Sequence, residues 1–227
     1  MKANGHTGKT FRLLLVLLLS VVAVGLGYAV LDLHSSTINL SKLVETNLAV
    51  SGASNPVTAV LLNFRGYDTL LEMGVLLVAL LGVWSLGGIP DYRESTPGPV
   101  FDTLSRLLVP MLILVAGYLL WVGAHAPGGA FQAGSVLGAA GVLLLLSGWR
   151  LEKRFAGLPL RVVLTLGLFV FVIAGGGFLL VGNMFMEYPP ALAGQLILLI
   201  EVAATMSIGA TLAILFLGSR PEGGPDK

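Results

Sequence analysis

The sequence predicts an all-α integral membrane protein. Charged residues make up 11% of the 227 residues and hydrophobic residues 56%, whereas about 25% of the residues in a typical soluble domain are charged. The mean hydropathy is +0.91, so a soluble fold would lack the charged surface that keeps it in solution. A helical span needs about 20 mostly apolar residues. Six runs meet that need: residues 11–31, 66–86, 104–123, 131–148, 160–182 and 194–218.

Composition also excludes several classes of function. The chain has no cysteine, which rules out a disulfide framework and cysteine-based metal or redox chemistry. Its formal net charge of +1 predicts no nucleic-acid partner. His6, His34 and His125 lie in different segments, and no nucleotide, haem or zinc motif is present. We therefore expect no cofactor, no metal and no catalytic residue.

The first run, residues 11–31, follows a basic N-terminal stretch and so has two possible interpretations. A basic stretch before an apolar run also begins a secretory signal peptide. The apolar core here has about 19 residues, longer than the roughly 7–15 of a signal peptide, and no good cleavage site follows. We expect an uncleaved anchor.

The basic residues predict the orientation, because Lys and Arg are enriched in cytoplasmic flanks. With the N-terminus inside, eleven of the thirteen basic residues lie inside and two, Lys42 and Arg65, lie outside. The decisive cluster, residues 150–154, lies between the fourth and fifth runs. The sequence thus predicts six helices in the cell (inner) membrane with both termini cytoplasmic.

A loop rich in Pro and Gly divides the chain into two parts. The segment GGIPDYRESTPGP has the composition of a linker. We expect a two-helix front domain over residues 1–90, a linker over 91–100 and a four-helix rear domain over 101–227. The two parts show no repeat, so an inverted-repeat transporter is not supported.

Three charged residues, Arg65, Asp68 and Glu72, mark the start of the second run. Their spacings of three and four place them on one stripe of a helix. Glu72 lies about 10 Å deeper than Arg65 at about 1.5 Å per residue, inside the roughly 30 Å hydrocarbon layer. We expect Arg65 and Asp68 to pair at the membrane boundary. Glu72, less compensated, is predicted to hold a proton or a cation, to meet another subunit, or to bond a neighbouring helix.

The last run carries one acid, Glu201, seven residues after Gly194. Its sequence neighbours are apolar, with Thr205 one turn later. A lone carboxyl at such a depth either pairs across helices or faces a hydrated cavity. Glu201 is the second candidate for an ion path.

The hairpin between the third and fourth runs is the third polar feature. His125 is a candidate proton-relay residue, because histidine titrates near neutral pH, although a loop histidine more often serves as a hydrogen-bonding group. Pro127, Gly128 and Gly129 end one helix and permit a tight turn. Gly134 and Gly138 form a pair of small residues that allows another helix to approach closely. We expect the hairpin to meet the acids of the second and last runs at one depth.

Residues 56–72 resemble a known family motif. They include VTAVLLNFRGYDTLLE, which is similar to the V-T-x-V-L-x-x-[FY]-R-G-[FY]-D-T-L-x-E stretch of the MbhE-type domain. That domain ends the largest subunit of Mrp antiporters and forms a small subunit of membrane-bound hydrogenases. The resemblance implies that Glu72 is the intramembrane acid of the motif and that Arg65 and Asp68 hold their motif positions.

The rear part resembles the MnhB-type domain, a separate subunit of Mrp antiporters. The family hairpin H-x-x-P-G-G-G-F-x-G-G appears here as HAPGGAFQAG, one residue shorter before Pro127 and with alanine at positions 130 and 133. The two resemblances together cover residues 11–216. Glu201 falls in the last span, where an acidic residue is common in the family.

The resemblance implies a non-enzymatic membrane subunit of a multi-subunit Mrp-type Na⁺/H⁺ antiporter, with other antiporter subunits as partners and Na⁺ and H⁺ as transported ions. The chain would contribute to or support an ion path through Glu72 and Glu201. Alternatives are the equivalent subunit of a membrane-bound hydrogenase or another redox-driven complex, and a structural scaffold. Two buried acids argue against proton pumping by this chain alone, because relays chain several ionisable groups.

Overall fold

A computed structural model describes residues 5–32, 39–85, 98–149, 155, 157–181 and 185–218. Within those ranges the regular structure is helical throughout, which confirms the predicted all-α class. The chain forms two compact units, Met1–Leu40 and Ser41–Lys227. Each unit is described by itself below.

The first unit contains the helix α1 (Gly5–Leu31). Its side chains from Phe11 to Leu31 are exposed on every face. A helix that is apolar all round lies in lipid or against other protein. The helix covers the first predicted run, residues 11–31.

The second unit holds the remaining helices, and each of the other five predicted runs contains one long helix. Five described helices, α1 included, are long and apolar enough to cross a membrane, so the chain is a multi-pass membrane protein. The helix in the fourth run has 17 residues, about 25 Å, less than the roughly 30 Å hydrocarbon layer. The count of six spans therefore stays a prediction. The helices are α2 (Leu40–Asn47), α3 (Pro56–Ala59), α4 (Gly66–Ser85), α5 (Pro99–Val122), α6 (Ala130–Leu146), α7 (Leu158–Gly177) and α8 (Pro190–Leu217).

Helix α8 is the centre of the second unit. It packs along both α6 and α7, while α5 packs on α6, and α4 contacts α7 and α8. The interior at these contacts contains the fully buried side chains of Phe171, Ile197 and Ile200. Large apolar side chains cover the outside of the bundle, as a lipid-facing surface requires.

Small residues set the distance between α6 and α8. A Cβ atom at Gly134 would lie 2.8 Å from Cβ of Ile208, and one at Gly138 would lie 3.0 Å from Cβ of Leu212. From the other helix, a Cβ at Gly209 would lie 3.1 Å from the Leu137 side chain. Without a hydrophobic force between helices in lipid, such close packing is what holds them together.

The second span begins earlier than the sequence predicts. Asn55 Oδ1 accepts a hydrogen bond from the Val57 backbone N–H at 2.9 Å and caps α3, with Pro56 in the first helical position, where its missing N–H costs nothing. A single π-helical turn, Val60–Phe64, then connects α3 to α4. Helical structure thus extends ten residues ahead of the predicted start at residue 66.

The substitution Gly134→Ala tests the contact between α6 and α8. We expect it to destabilise the protein by about 1–3 kcal/mol, because a methyl group must displace Ile208 in a packed interface. Gly117→Ala in α5 is the matched control, since its Cβ would meet nothing within 4 Å. Both variants gain the same helix propensity, about 1 kcal/mol, so the difference in their thermal unfolding midpoints in detergent isolates the clash. Equal midpoints would contradict the close approach.

The orientation stays a prediction, because the basic cluster at 150–154 and residues 86–97, which hold most of the predicted linker, lie outside the described residues. Since the chain has no cysteine, single cysteines at the exposed positions Glu45 and Gly157 report each side without background. On intact cells we expect an impermeant maleimide to label Glu45→Cys, and Gly157→Cys only after permeabilisation. The reverse pattern would show that the positive-inside assignment is wrong.

Candidate functional site

Glu201 is a buried acid inside the helix bundle. Its relative exposure is 2%, and it lies eleven residues into α8, about 16 Å from the start of that helix, because α8 begins at Pro190 rather than at the predicted 194. The carboxylate accepts a hydrogen bond from the backbone N–H of Ala130, the first residue of α6. Its second oxygen, Oε2, is buried and has no hydrogen-bond partner among the described residues.

The hairpin glycines bring the N-terminus of α6 to this carboxyl. Gly129 has φ +108°, and a Cβ there would lie 2.9 Å from Oε1 of Glu201. A Cβ at Gly128 would lie 2.5 Å from the Leu119 carbonyl oxygen, and one at Gly123 would lie 2.6 Å from Cα of Gly129. The Gly129 N–H donates to the Leu119 carbonyl at 2.9 Å. The turn therefore needs glycine at three positions, of which the sequence singled out two.

The electrostatics of this contact favour an acid. The first N–H groups of a helix lack partners within it and carry a partial positive charge. Glu201 supplies an acceptor from another helix at a place where the membrane supplies none. One oxygen is satisfied and the other is not, so the carboxyl retains the capacity to bind one more hydrogen.

The outer segment before α4 is bonded to the same hairpin. The backbone N–H groups of Ser54 and Asn55 donate to the Ala124 carbonyl at 3.1 and 3.0 Å. The Thr58 hydroxyl, which is buried, donates to the Gly123 carbonyl. These bonds fix the position of the hairpin relative to α3.

His125 is part of this joint between the outer segment and the hairpin. Its Nδ1 lies 2.7 Å from the Ser54 hydroxyl, and its side chain is exposed. The Ser54 hydroxyl also lies 3.0 Å from the Ala124 carbonyl. In this structure the position of His125 is that of a hydrogen-bonding residue at the surface, and Pro127 is likewise exposed in the turn.

The three charged residues of the second run lie together, in an environment unlike that of Glu201. Arg65 Nη2 and Asp68 Oδ2 form the expected salt bridge, with both side chains well exposed. Glu72 is exposed and lines an open groove of about 740 Å³. The groove walls come from the segment 60–76 and from side chains of α6 and α8 that include Phe131 and Ile208. Glu201 is not among the lining residues.

A second glycine contact fixes the start of α4, and the sequence did not indicate its partner. Met186 has φ +65°, a left-handed conformation that is strained for a residue with a side chain. A Cβ at Gly66 would lie 2.7 Å from its Sδ, and one at Gly175 would lie 3.0 Å from its Cγ. The glycine of the R-G motif thus makes room for a methionine from the segment before α8.

Tyr188 closes the same end of the core. It is buried and packs edge-on against Phe178, with ring centroids 6.4 Å apart. Its hydroxyl has no hydrogen-bond partner among the described residues, and burial raises the pKa of the phenol to about 12. The group is therefore neutral at physiological pH and acts by packing.

Thr58→Val tests the joint between the outer segment and the hairpin. Valine keeps the shape but removes the donor to the Gly123 carbonyl, and an unsatisfied buried carbonyl costs about 1–3 kcal/mol. We expect a lower unfolding midpoint in detergent. Thr103→Val is the control, because that exposed hydroxyl bonds only to Pro99 in its own helix. A midpoint equal to that of the control would show that the joint contributes nothing.

Comparisons with protein families match nearly the whole chain. A family described as a domain related to the MnhB subunit of Na⁺/H⁺ antiporters matches residues 100–218. A second family, MbhE, described as one of the subunits of MBH, matches residues 9–96.

Two curated relatives share part of their length with this chain. A fused A/B component of a probable K⁺/H⁺ antiporter of Rhizobium meliloti is 29% identical over 182 residues, which is 66% of this chain and 17% of that protein. An uncharacterized protein of Methanocaldococcus jannaschii is 32% identical over 114 residues, 41% of this chain and 44% of that one. The chain thus spans less than half the length of either.

Two solved structures share the fold. A chain of the membrane-bound sulfane sulfur reductase, an archaeal respiratory membrane complex, superposes with a TM-score of 0.66 at 26% identity, over 92% of this chain and 97% of that one. A chain of the Mrp complex from Dietzia superposes with a TM-score of 0.64 at 21% identity, over 96% of this chain and 26% of that one.

Proposed function

Because the chain belongs to the family of the domain related to the MnhB subunit of Na⁺/H⁺ antiporters, we propose that it is a non-enzymatic subunit of a multi-subunit monovalent cation/proton antiporter. In that complex it contributes to or supports an ion path. The observation that carries the proposal is the hairpin of the matched region, which holds the buried carboxyl of Glu201 against the N-terminus of α6.

Glu72 is the second part of the proposed path. A carboxyl on the surface of a membrane helix is costly in lipid, so its open groove calls for another subunit or for hydration. The Arg65–Asp68 salt bridge leaves Glu72 as the uncompensated charge of this group. A partner subunit that covers the groove would enclose Glu72 between two proteins, where intramembrane acids commonly line ion pathways.

The alternative is the equivalent subunit of a redox-driven membrane complex. One observation favours it: this chain covers 97% of its counterpart in the sulfane sulfur reductase but 26% of its counterpart in the Mrp complex. A front part and a rear part joined in one short chain therefore have a full-length match in a respiratory complex. Purification of the complex through a tag on this chain separates the two proposals, since iron–sulfur or hydrogenase-type subunits among its partners would favour the second.

The double substitution Glu72→Gln with Glu201→Gln tests the ion path. We expect assembly to survive, because glutamine keeps the size of each side chain, and cation/proton exchange to fall at least about tenfold, which corresponds to about 1.4 kcal/mol. Exchange is measured in everted vesicles with a pH-sensitive dye after addition of Na⁺ or K⁺. Glu45→Gln, an exposed acid of α2 outside the long helices, is the control.

The outcomes separate the ion-path role from the scaffold role. If the double variant assembles and exchanges cations as the wild type does, the acids carry no ions and the chain acts as a scaffold. If the intact wild-type complex exchanges no monovalent cation for protons, the antiporter assignment itself is wrong.

A further inference from the structure

We propose that Glu201 and the first turn of α6 form a single-proton site, in which the exchangeable proton is held on Oε2 and exchanges through the Gly128–Gly129 turn. The inference deepens the proposed function and rests on it for its role in transport, but the site itself is argued from the geometry alone. The step is a simple protonation: an O–H bond forms on Oε2 with a proton taken from water, and the same bond breaks when the proton leaves.

The unpartnered oxygen is the first reason. Glu201 is 2% exposed, and one of its two oxygens has no partner among the described residues. An ionised carboxylate is an acceptor at both oxygens, whereas a protonated one carries a hydrogen of its own. An intramembrane carboxyl without a counter-charge is expensive, and uptake of one proton removes that charge at the oxygen where nothing else compensates it.

The surroundings argue for a proton rather than a bound metal cation. Helix α6 has no titratable residue between Ala130 and Leu146, and α8 has none besides Glu201. The described residues contain no group of three His, Asp or Glu side chains that would hold a metal ion. A single carboxyl with one free oxygen matches the valence of a proton.

The charged and titratable groups of the other neighbouring elements lie elsewhere or are already engaged. Those of α4, Asp68 and Glu72, line the open groove. Those of α5 are the Asp102–Arg106 salt bridge in its first turns and the exposed Tyr118. Helix α7 carries Arg161 near its start, and the segment before α8 carries Glu187 and Tyr188. His125 of the hairpin bonds with Ser54.

The hairpin allows both protonation states to exist in one fold. When the carboxyl is ionised, the Ala130 N–H and the positive end of α6 stabilise it. When it is protonated, the O–H on Oε2 removes the buried charge while Oε1 remains an acceptor. Because Gly128 and Gly129 have no side chains, only backbone covers the carboxyl at this end.

Gln132 is placed to link the site to solvent. The Cβ position at Gly129 that lies 2.9 Å from Glu201 Oε1 also lies 3.8 Å from Oε1 of Gln132. The Gln132 side chain is exposed, and its amide offers both a donor and an acceptor. It therefore marks the mouth through which we expect the proton to pass.

Infrared spectroscopy of the purified complex, titrated across pH, tests the site. A protonated carboxyl gives a carbonyl stretching band that disappears on ionisation. We expect such a band in the wild type and in the control Glu45→Gln, and its loss in Glu201→Gln, which keeps an acceptor toward Ala130 but cannot ionise. A band that persists unchanged in Glu201→Gln, or a wild type with no titrating band, would overturn the proposal.

A second variant guards against failed assembly. If Glu201→Gln does not assemble, Glu201→Asp keeps an acid on a shorter side chain and should shift both the frequency and the pH midpoint of the band; an unchanged band overturns the proposal. Transport separates this result from the proposed function. Loss of the band in Glu201→Gln, in a wild-type complex that exchanges no cations, would leave the proton site standing and the antiporter assignment wrong.

Discussion

The bilayer offers no water to hydrogen-bond the backbone, so every turn inside it must satisfy its own polar groups. The hairpin between α5 and α6 shows how this chain does so. Glu201 accepts from the first N–H of α6, and Thr58 and Ser54 donate to the carbonyls of Gly123 and Ala124. The positions of α8 and of the outer segment follow from these bonds.

Much of the fold could be predicted because apolar length and glycine spacing are local signals. The long helices fall on the predicted runs, the Arg65–Asp68 pair follows from a three-residue spacing, and Gly134 lies against a neighbouring helix. The π turn and the early start at Pro56 were not predicted, because an apolar run does not show where its first turn forms. The left-handed Met186 has no signal of its own in the sequence.

The two acids were less predictable than the helices that carry them. Glu72 and Glu201 both sit among apolar neighbours in sequence, yet one lines an open groove and the other is buried. A helix such as α8, apolar on all faces, does not declare which side turns inward. That choice is made by Gly209 and by the hairpin glycines, which let α6 approach α8 on one side only.

The bonds between Thr58, Ser54 and the hairpin carry a consequence for the history of the chain. They join residues 65 to 71 positions apart in sequence, and they cross the boundary between the regions matched by the two families. The front and rear parts thus recognise one another without needing the peptide connection between them. Two separately encoded proteins with this surface could be fused, or one gene split, with no new contact to invent.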